Sequence, residues 1–347
     1  MSSVMTRGIY ITRHGGPEVL QIGDVLVPEP GLTDVMIDVR AVGMNFADVY
    51  CRLGLYEASP RPPFIPGFEV AGVVVAVGEH VADFEPGDRV IGVSRFGAYA
   101  ECVVVPRWQV MRIPESCSFE EAAGFPAAFM TAYHGLVTLG RIRDGMTVLI
   151  HAAAGGVGTA ALQLSRRHEV TIIATAGSAD KMRLASELGA HHTINYRRED
   201  FEAVVRGLTR GNGVDLVLDS VGGDCFSKSY RLLRKMGHLV TIGSATMMPE
   251  SSRIHWIRLA WQYLTRPRLD PLAMIGENRT VSGFNLVHLF GELDVLNRSF
   301  SDLESWWSSG EIAPVLGRIF PFSEAGRAQE ELRRRKTTGK VILVPDS

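Results

Sequence analysis

The sequence predicts an α/β chain of two domains, a small β-rich barrel and a doubly wound parallel sheet, and three observations carry that reading. Its 347 residues exceed one domain of roughly 150 residues and can bury two cores. Up to Val105 the chain is rich in valine, in apolar alternation and in Gly/Pro punctuation, the pattern of short strands. From Glu120 onward short apolar runs alternate with helical stretches. Strands joined by helices pair in parallel, because parallel neighbours need a long crossover.

In the first part, Gly8-Ile9-Tyr10-Ile11 reads as a strand, and further strands are expected over 35–42, 69–77, 89–93 and 101–105. A helix over 119–139 follows. Strands are then expected over 147–151, 170–175, 193–196, 214–219, 238–242 and 280–284, with helices over 158–167, 179–188, 201–208 and 225–233. Six strands with interleaved helices describe a sheet of the dinucleotide-binding type. A later helix is expected where Ser251 and Ser252 offer caps, Ile254, Ile257, Trp261 and Leu264 share a stripe, and Pro267 ends it. That segment reads as a substrate lid or a dimer contact, and its arginines and tryptophans offer peripheral membrane contact as the alternative. The run Arg333-Arg334-Arg335-Lys336 reads as a solvated face.

Composition excludes several classes. Apolar residues make up 46% and charged residues 21%, and 36 Lys plus Arg against 38 Asp plus Glu leave a net charge of -2. A balanced charge supplies no general field for polyanions, so nucleic acid is not an expected partner. The four cysteines are far apart and form no C-x-x-C pair, which fits a reducing compartment. No signal segment opens the chain, and a cytoplasmic location is expected. Two uncharged runs, 122–140 and 145–165, approach spanning length, but Pro126 interrupts one and Gly155-Gly156-Val157-Gly158 the other.

The segment from Thr147 through His151 to Gln163 is the most informative, a strand running through glycines into a helix. Glycine at the turn lets backbone approach a pyrophosphate, whose charge meets helix N-terminal N–H groups, and Gly158 permits close packing of helix on strand. Ala154, Gly155, Gly156, Val157 and Gly158 are therefore expected to bind the cofactor. About twenty residues further on, a site for NAD places an acid on the ribose. Here Ala174-Thr175-Ala176-Gly177-Ser178 contains none, while Lys181 follows and Tyr196 and Arg197 close the next strand. That set suits a 2′-phosphate, so NADPH is the expected cofactor.

Taken together, His14-Gly15-Gly16-Pro17-Glu18-Val19-Leu20, Gly43-Met44-Asn45-Phe46-Ala47-Asp48, Pro66-Gly67-Phe68-Glu69-Val70-Ala71-Gly72, Pro86-Gly87-Asp88-Arg89-Val90, the glycine loop and Thr338-Gly339-Lys340-Val341 resemble the medium-chain dehydrogenase/reductase superfamily. Within it the chain resembles the zinc-independent quinone oxidoreductases of the zeta-crystallin type. The run from Glu277 to Leu286 and the ending Val341 to Pro345 resemble the vesicle amine transport protein-like branch. The resemblance implies a GroES-like β-barrel catalytic domain, 1–128 with 287–347, a Rossmann NADPH-binding domain, 129–286, a site in the cleft between them, and a homodimer in which the strand at 280–284 meets its mate.

It also implies roles for particular residues. Zinc-dependent relatives carry Cys and His ligands at positions matching Asn45 and Phe68; phenylalanine has no donor atom and an amide binds zinc poorly, so no metal is expected. The candidate catalytic residues are Asn45 and Tyr56, as hydrogen-bond donors to the acceptor oxygen, and Asp48, which orients the loop or caps a helix. Thr131 matches a threonine near the nicotinamide. Gly177, Ser178, Lys181, Tyr196 and Arg335 fall around the adenosine phosphate, and Ser220, Gly243, Ser244, Phe284 and Asn285 fall elsewhere along the cofactor. His134 and His151 read as packing histidines.

The activity so implied is NADPH-dependent hydride transfer to quinones or conjugated enones without zinc. Two alternatives stand beside it: an enoyl-thioester reductase or natural-product tailoring enzyme, and a nucleotide-responsive binding or membrane-trafficking protein with weak catalysis.

Overall fold

The computed structural model describes residues 3–249 and 255–346; Ser251, Ser252 and Ile254, expected to cap and open the late helix, lie outside the described residues. The chain divides into two compact units, residues 3–127 with 287–346, and residues 128–249 with 255–286.

The first unit opens with an antiparallel pair, β1 (Val4–Ile11) and β2 (Leu20–Val27). There follow β3 (Asp34–Met44), α1 (Phe46–Leu53), β4 (Glu69–Val77), β5 (Arg89–Val93), β6 (Cys102–Pro106), β7 (Val110–Arg112) and α2 (Phe119–Ala123). Alternation forms these strands: Val35, Ile37, Val39 and Ala41 of β3 are almost fully buried.

The predicted helix over 119–139 is instead three pieces. α2 stops at Gly124, and α3 (Pro126–Tyr133) begins at a proline, which has no N–H to continue a helix ladder. His134–Leu139 then winds as a π-helix, with Gly140 N–H donating to the Gly135 carbonyl five residues back. Apolar spacing cannot separate that register from an α-helix, so the sequence shows only a continuous helical run.

The second unit holds β8 (Thr147–Ile150), α4 (Gly156–Ser165), β9 (Thr171–Ala176), α5 (Ala179–Glu187), β10 (His192–Asn195), α6 (Phe201–Leu208), β11 (Val214–Asp219), α7 (Asp224–Leu232) and β12 (Leu233–Thr241). Then come α8 (Trp256–Leu264), α9 (Pro271–Glu277) and β13 (Thr280–Gly283). Among the described residues these strands form one parallel sheet in the order β10-β9-β8-β11-β12-β13. Counted within the unit this is 3-2-1-4-5-6, the doubly wound order, which reverses direction beside its first strand. Leu149, Ile173, Ile194, Val217 and Leu239 form its core with Phe201, Val205 and Leu232 from the covering helices.

The chain returns to the first unit with α10 (Leu293–Ser308), β14 (Leu316–Pro321), α11 (Ala325–Arg333) and β15 (Lys340–Val344). Trp307 of α10 stacks on Phe125, ring centroids 4.1 Å apart. β15 pairs antiparallel with β3, extending the sheet to β14-β15-β3-β4-β5-β7 with β6 also on β3.

On α8 the expected stripe is present but faces outward: Ile257, Trp261 and Leu264 are 88%, 68% and 62% exposed. No helix among the described residues is long and apolar enough to cross a membrane.

Candidate active site

In the first unit, β3 runs into α1 through Asn45, whose extended backbone (φ -126°, ψ 156°) makes it the residue before the helix. The Asp48 carboxylate reaches back three residues and accepts the Asn45 N–H at 2.7 Å, satisfying a donor that the helix cannot. A side chain at Gly43 would lie 2.1 Å from the Ala123 carbonyl oxygen and 2.5 Å from Glu69 Oε1, so the strand must be bare there.

Around Asn45 stands a buried ionic network. Lys340 Nζ donates to Asn45 Oδ1 at 2.9 Å, to the Met44 carbonyl at 2.9 Å and to Glu69 Oε1 at 2.6 Å. Asn45 Nδ2 donates to Glu69 Oε1 at 2.8 Å and to the Gly43 carbonyl at 3.4 Å. Both ends of the amide are thus engaged within the unit. These contacts fix the orientation of the Asn45 amide beside the start of α1. Sequence reasoning missed Lys340 and Glu69 as its partners, because they meet only when β15 pairs with β3.

Asp48 is fully buried, with the Tyr99 hydroxyl beside its carboxylate and Gln329 beside that hydroxyl. Burial pushes the Asp48 carboxyl up to about 7, against the opposing Asn45 N–H and the Lys340 charge. Tyr56 is half-buried, its ring edge-on to Phe68 with centroids 6.1 Å apart, and Phe68 lies 5.3 Å from Phe96. This is an apolar aromatic wall carrying one phenol. At the positions that match zinc ligands there are thus an amide held by an ammonium group and a phenyl ring. Among the described residues no group of three or more His, Cys, Asp or Glu could hold a metal ion.

In the second unit the expected cofactor residues follow the carboxyl ends of the strands, where open α/β sheets bind ligands. After β8, Ala152 takes a left-handed φ of 50°, Ala153 N–H donates to the Thr175 carbonyl at 3.0 Å, and α4 starts at Gly156 with Val157 in its first turn. A Cβ on Gly158 would lie 2.4 Å from the Ala152 oxygen and 2.6 Å from Ala153 Cα, so helix and loop touch there as backbone. The Gly155 N–H donates to the Ala152 carbonyl at 3.0 Å, and the first turn of α4 from Gly156 onward offers helix N-terminal N–H groups, which suit a pyrophosphate.

After β9, Ser178 caps α5 by accepting the Lys181 N–H at 3.4 Å. A Cβ on Gly177 would lie 2.7 Å from the Tyr196 hydroxyl and 3.3 Å from Arg197 Nε, so phenol and guanidinium both close over the glycine. Arg197, which with Lys181 and Tyr196 makes up the set expected to suit a 2′-phosphate, stands with Tyr196 beside Gly177. After β11 and β12, the Ser220 carbonyl accepts from Ala245 N–H at 3.3 Å, and Gly243 closely approaches Ser220. After β13, Phe284 meets the His134 ring at 4.5 Å, with Asn285 next in the chain. Thr131 lies one turn earlier, on α3. Arg335 is carried by the first unit, past α11 at a φ of 56°, with its charge near Tyr50.

His151, the residue between β8 and the loop, is also buried. Its Nδ1 lies 3.0 Å from Thr175 Oγ1 and its Nε2 2.8 Å from Ser229 Oγ, while its ring meets Phe201 edge-on at 4.9 Å. Burial pushes its imidazole below the ordinary histidine range, the Asp219 charge opposing.

Strand order, loop and barrel together define a dinucleotide-dependent α/β protein with an appended β domain. Comparison with known families agrees: residues 31–115 match the alcohol dehydrogenase GroES-like domain and residues 156–292 the zinc-binding dehydrogenase family. The synaptic vesicle membrane protein VAT-1 homolog of Rattus norvegicus is 40% identical, covering 98% of this chain and 84% of its own. The quinone oxidoreductase of Pseudomonas aeruginosa is 35% identical over 98% of this chain and all of its own. The crystal structure of Escherichia coli quinone oxidoreductase complexed with NADPH superposes with a TM-score of 0.85 at 31% identity, covering 98% of this chain and 100% of that one. The chain belongs to the medium-chain dehydrogenase/reductase superfamily, among its quinone oxidoreductases and VAT-1 homologues.

Proposed function

We propose that the protein is an NADPH-dependent reductase that passes hydride to a quinone or a conjugated enone without zinc. The observation that carries this reading is the pairing of Tyr196 and Arg197 over Gly177, at a strand end whose residues 174–178 include no carboxylate. A phenol and guanidinium suit a 2′-phosphate. The glycine loop after β8 fits the pyrophosphate, and the NADPH complex of the E. coli relative supports the same choice.

When bound, NADPH would supply the hydride. The chain's part is then to align the acceptor and to stabilise the oxyanion that develops on it. Tyr56 would donate to that oxygen, and Asn45 and Asp48 would hold the turn that carries α1. In a screen of quinones, enones and enoyl thioesters, NADPH oxidation is expected with the first two and unchanged by chelator. Lys181→Ala should weaken NADPH by about tenfold to a hundredfold while leaving NADH little changed, since a charge-assisted phosphate contact is worth roughly 1.5–3 kcal/mol. Equal weakening of both nucleotides, or zinc-dependent turnover, would defeat the reading.

The outer strand β13 and the apolar arc of α8 support two further proposals, for a protein we place in the cytoplasm. A second copy would pair along β13, and the arc would rest on an anionic membrane surface. Between 255 and 269 there are three arginines and no acid, beside exposed Trp256, Ile257, Trp261 and Leu264. Sedimentation should show a dimer, and Ile257→Asp should abolish flotation with acidic vesicles; a monomer, or flotation unaltered by the substitution, would refute the respective proposal.

A further inference from the structure

We infer that His151 is a positioning residue that sets how well the site discriminates NADPH from NADH. The inference rests on the NADPH reading above.

Three segments proposed to hold the nucleotide leave the sheet side by side, after β8, β9 and β11, and the His151 ring ties the start of the first to the end of β9 and to α7, the helix beyond the third. It is the last residue before the left-handed Ala152. Nδ1 meets Thr175, two residues before Gly177, and Nε2 meets Ser229 on α7, the helix that follows the loop after β11. Thr175 and Ser229 are almost fully buried, so neither hydroxyl has water as an alternative partner. A neutral imidazole offers one donor and one acceptor, and each hydroxyl can turn to complement either nitrogen. The link to Thr175 is doubled, because the Thr175 carbonyl also accepts from Ala153 N–H. Past the β8–β9 ladder, whose last pair is Ile150 with Ala174, the register between the pyrophosphate loop and the end of β9 is continued by one side chain and one backbone bond.

That register matters because the pyrophosphate and the 2′-phosphate are joined through one ribose, so their separation has a limited range. If the loop seats the first, the distance to Gly177 decides whether Tyr196 and Arg197 meet the second. A change of a few tenths of an ångström alters hydrogen bonds to the 2′-phosphate while leaving the pyrophosphate contacts intact.

Two substitutions divide the ring's functions. In His151→Asn the amide stands near Nδ1 and keeps the Thr175 link. In His151→Gln it reaches the place of Nε2 and keeps the Ser229 link alone. We expect His151→Asn to retain the wild-type ratio of NADPH to NADH dissociation constants, measured by calorimetry. His151→Gln should raise that ratio about tenfold, by weakening NADPH alone. Thr175→Val should reproduce that loss, and combining it with His151→Gln should add nothing, as for two ends of one contact. Thermal unfolding monitors the fold in parallel. A purely structural role would lower the unfolding temperature and weaken both nucleotides together, and that result overturns the inference. If wild-type protein prefers NADPH and His151→Gln keeps that preference, the positioning role fails alone; if wild type shows no preference, the NADPH reading fails with it.

Discussion

Lys340→Met is expected to remove about 3–5 kcal/mol of folding free energy, because it strands a charge in the interior. Lys340 is 5% exposed and Glu69 not at all. Glu69 Oε1 accepts from Lys340 and from Asn45, and its Oε2 accepts from Ala127 N–H at 2.6 Å. Removing the ammonium leaves a carboxylate with two amide donors and no cation, in a place water does not reach. The carboxylate's desolvation is then uncompensated. Glu69→Gln combined with Lys340→Met removes both charges and should recover most of the loss, since it is the stranded ion and not the absent pair that costs. Urea unfolding of the two single variants and the double variant measures the coupling. If the double variant is as unstable as the sum of the singles, the network is not a coupled pair. The same experiment bears on the site, because Asn45 is held at both ends by these two side chains.

This network shows where the sequence was legible and where it was not. The loop from Ala152 to Gly158 could be read directly, because strand, glycines and helix are contiguous and Gly158 has a local steric reason. The order of the parallel sheet was not readable, but the number and kind of its strands were. Lys340 and Glu69 both fall in segments that resemble the family, yet they are 271 positions apart. No spacing rule relates them, and only pairing of β15 with β3 joins them. Asn45 could therefore be singled out in sequence, but not the two side chains that hold its amide. His151 was hidden for a related reason: a histidine at the end of an apolar strand reads as packing, and its two hydroxyl partners come from β9 and α7. The π-helix was invisible because its apolar spacing overlaps that of an α-helix across so short a run.

With the Asn45 amide held by Lys340 and Glu69, Tyr56 is the phenol proposed to serve the acceptor, and Tyr56→Phe is expected to slow enone reduction by about 10²–10³ in kcat. The substitution keeps the ring that packs edge-on to Phe68 and removes only the hydroxyl, so the aromatic wall and the fold should survive. Hydride arriving at the β-carbon of an enone pushes an electron pair onto oxygen as an enolate. A donor aimed at that oxygen is worth more in the transition state than in the bound enone, which is the condition for raising kcat rather than lowering KM. The enolate carbon then takes a proton, for which the phenol or water is the source. A quinone is less demanding, because its reduced anion is delocalised over an aromatic ring and needs less help from the protein. The loss on a quinone should therefore stay below about tenfold, or 1.4 kcal/mol. The comparison is internal, since a damaged fold would slow both substrates alike. Deuterium carried on the nicotinamide should appear on the β-carbon of the enone, with one face of the cofactor used, as read by NMR. Equal losses for enone and quinone would remove Tyr56 from the acceptor's oxygen. Failure of any acceptor to take the label, with NADPH still bound, would instead turn the protein into a nucleotide-responsive binding protein.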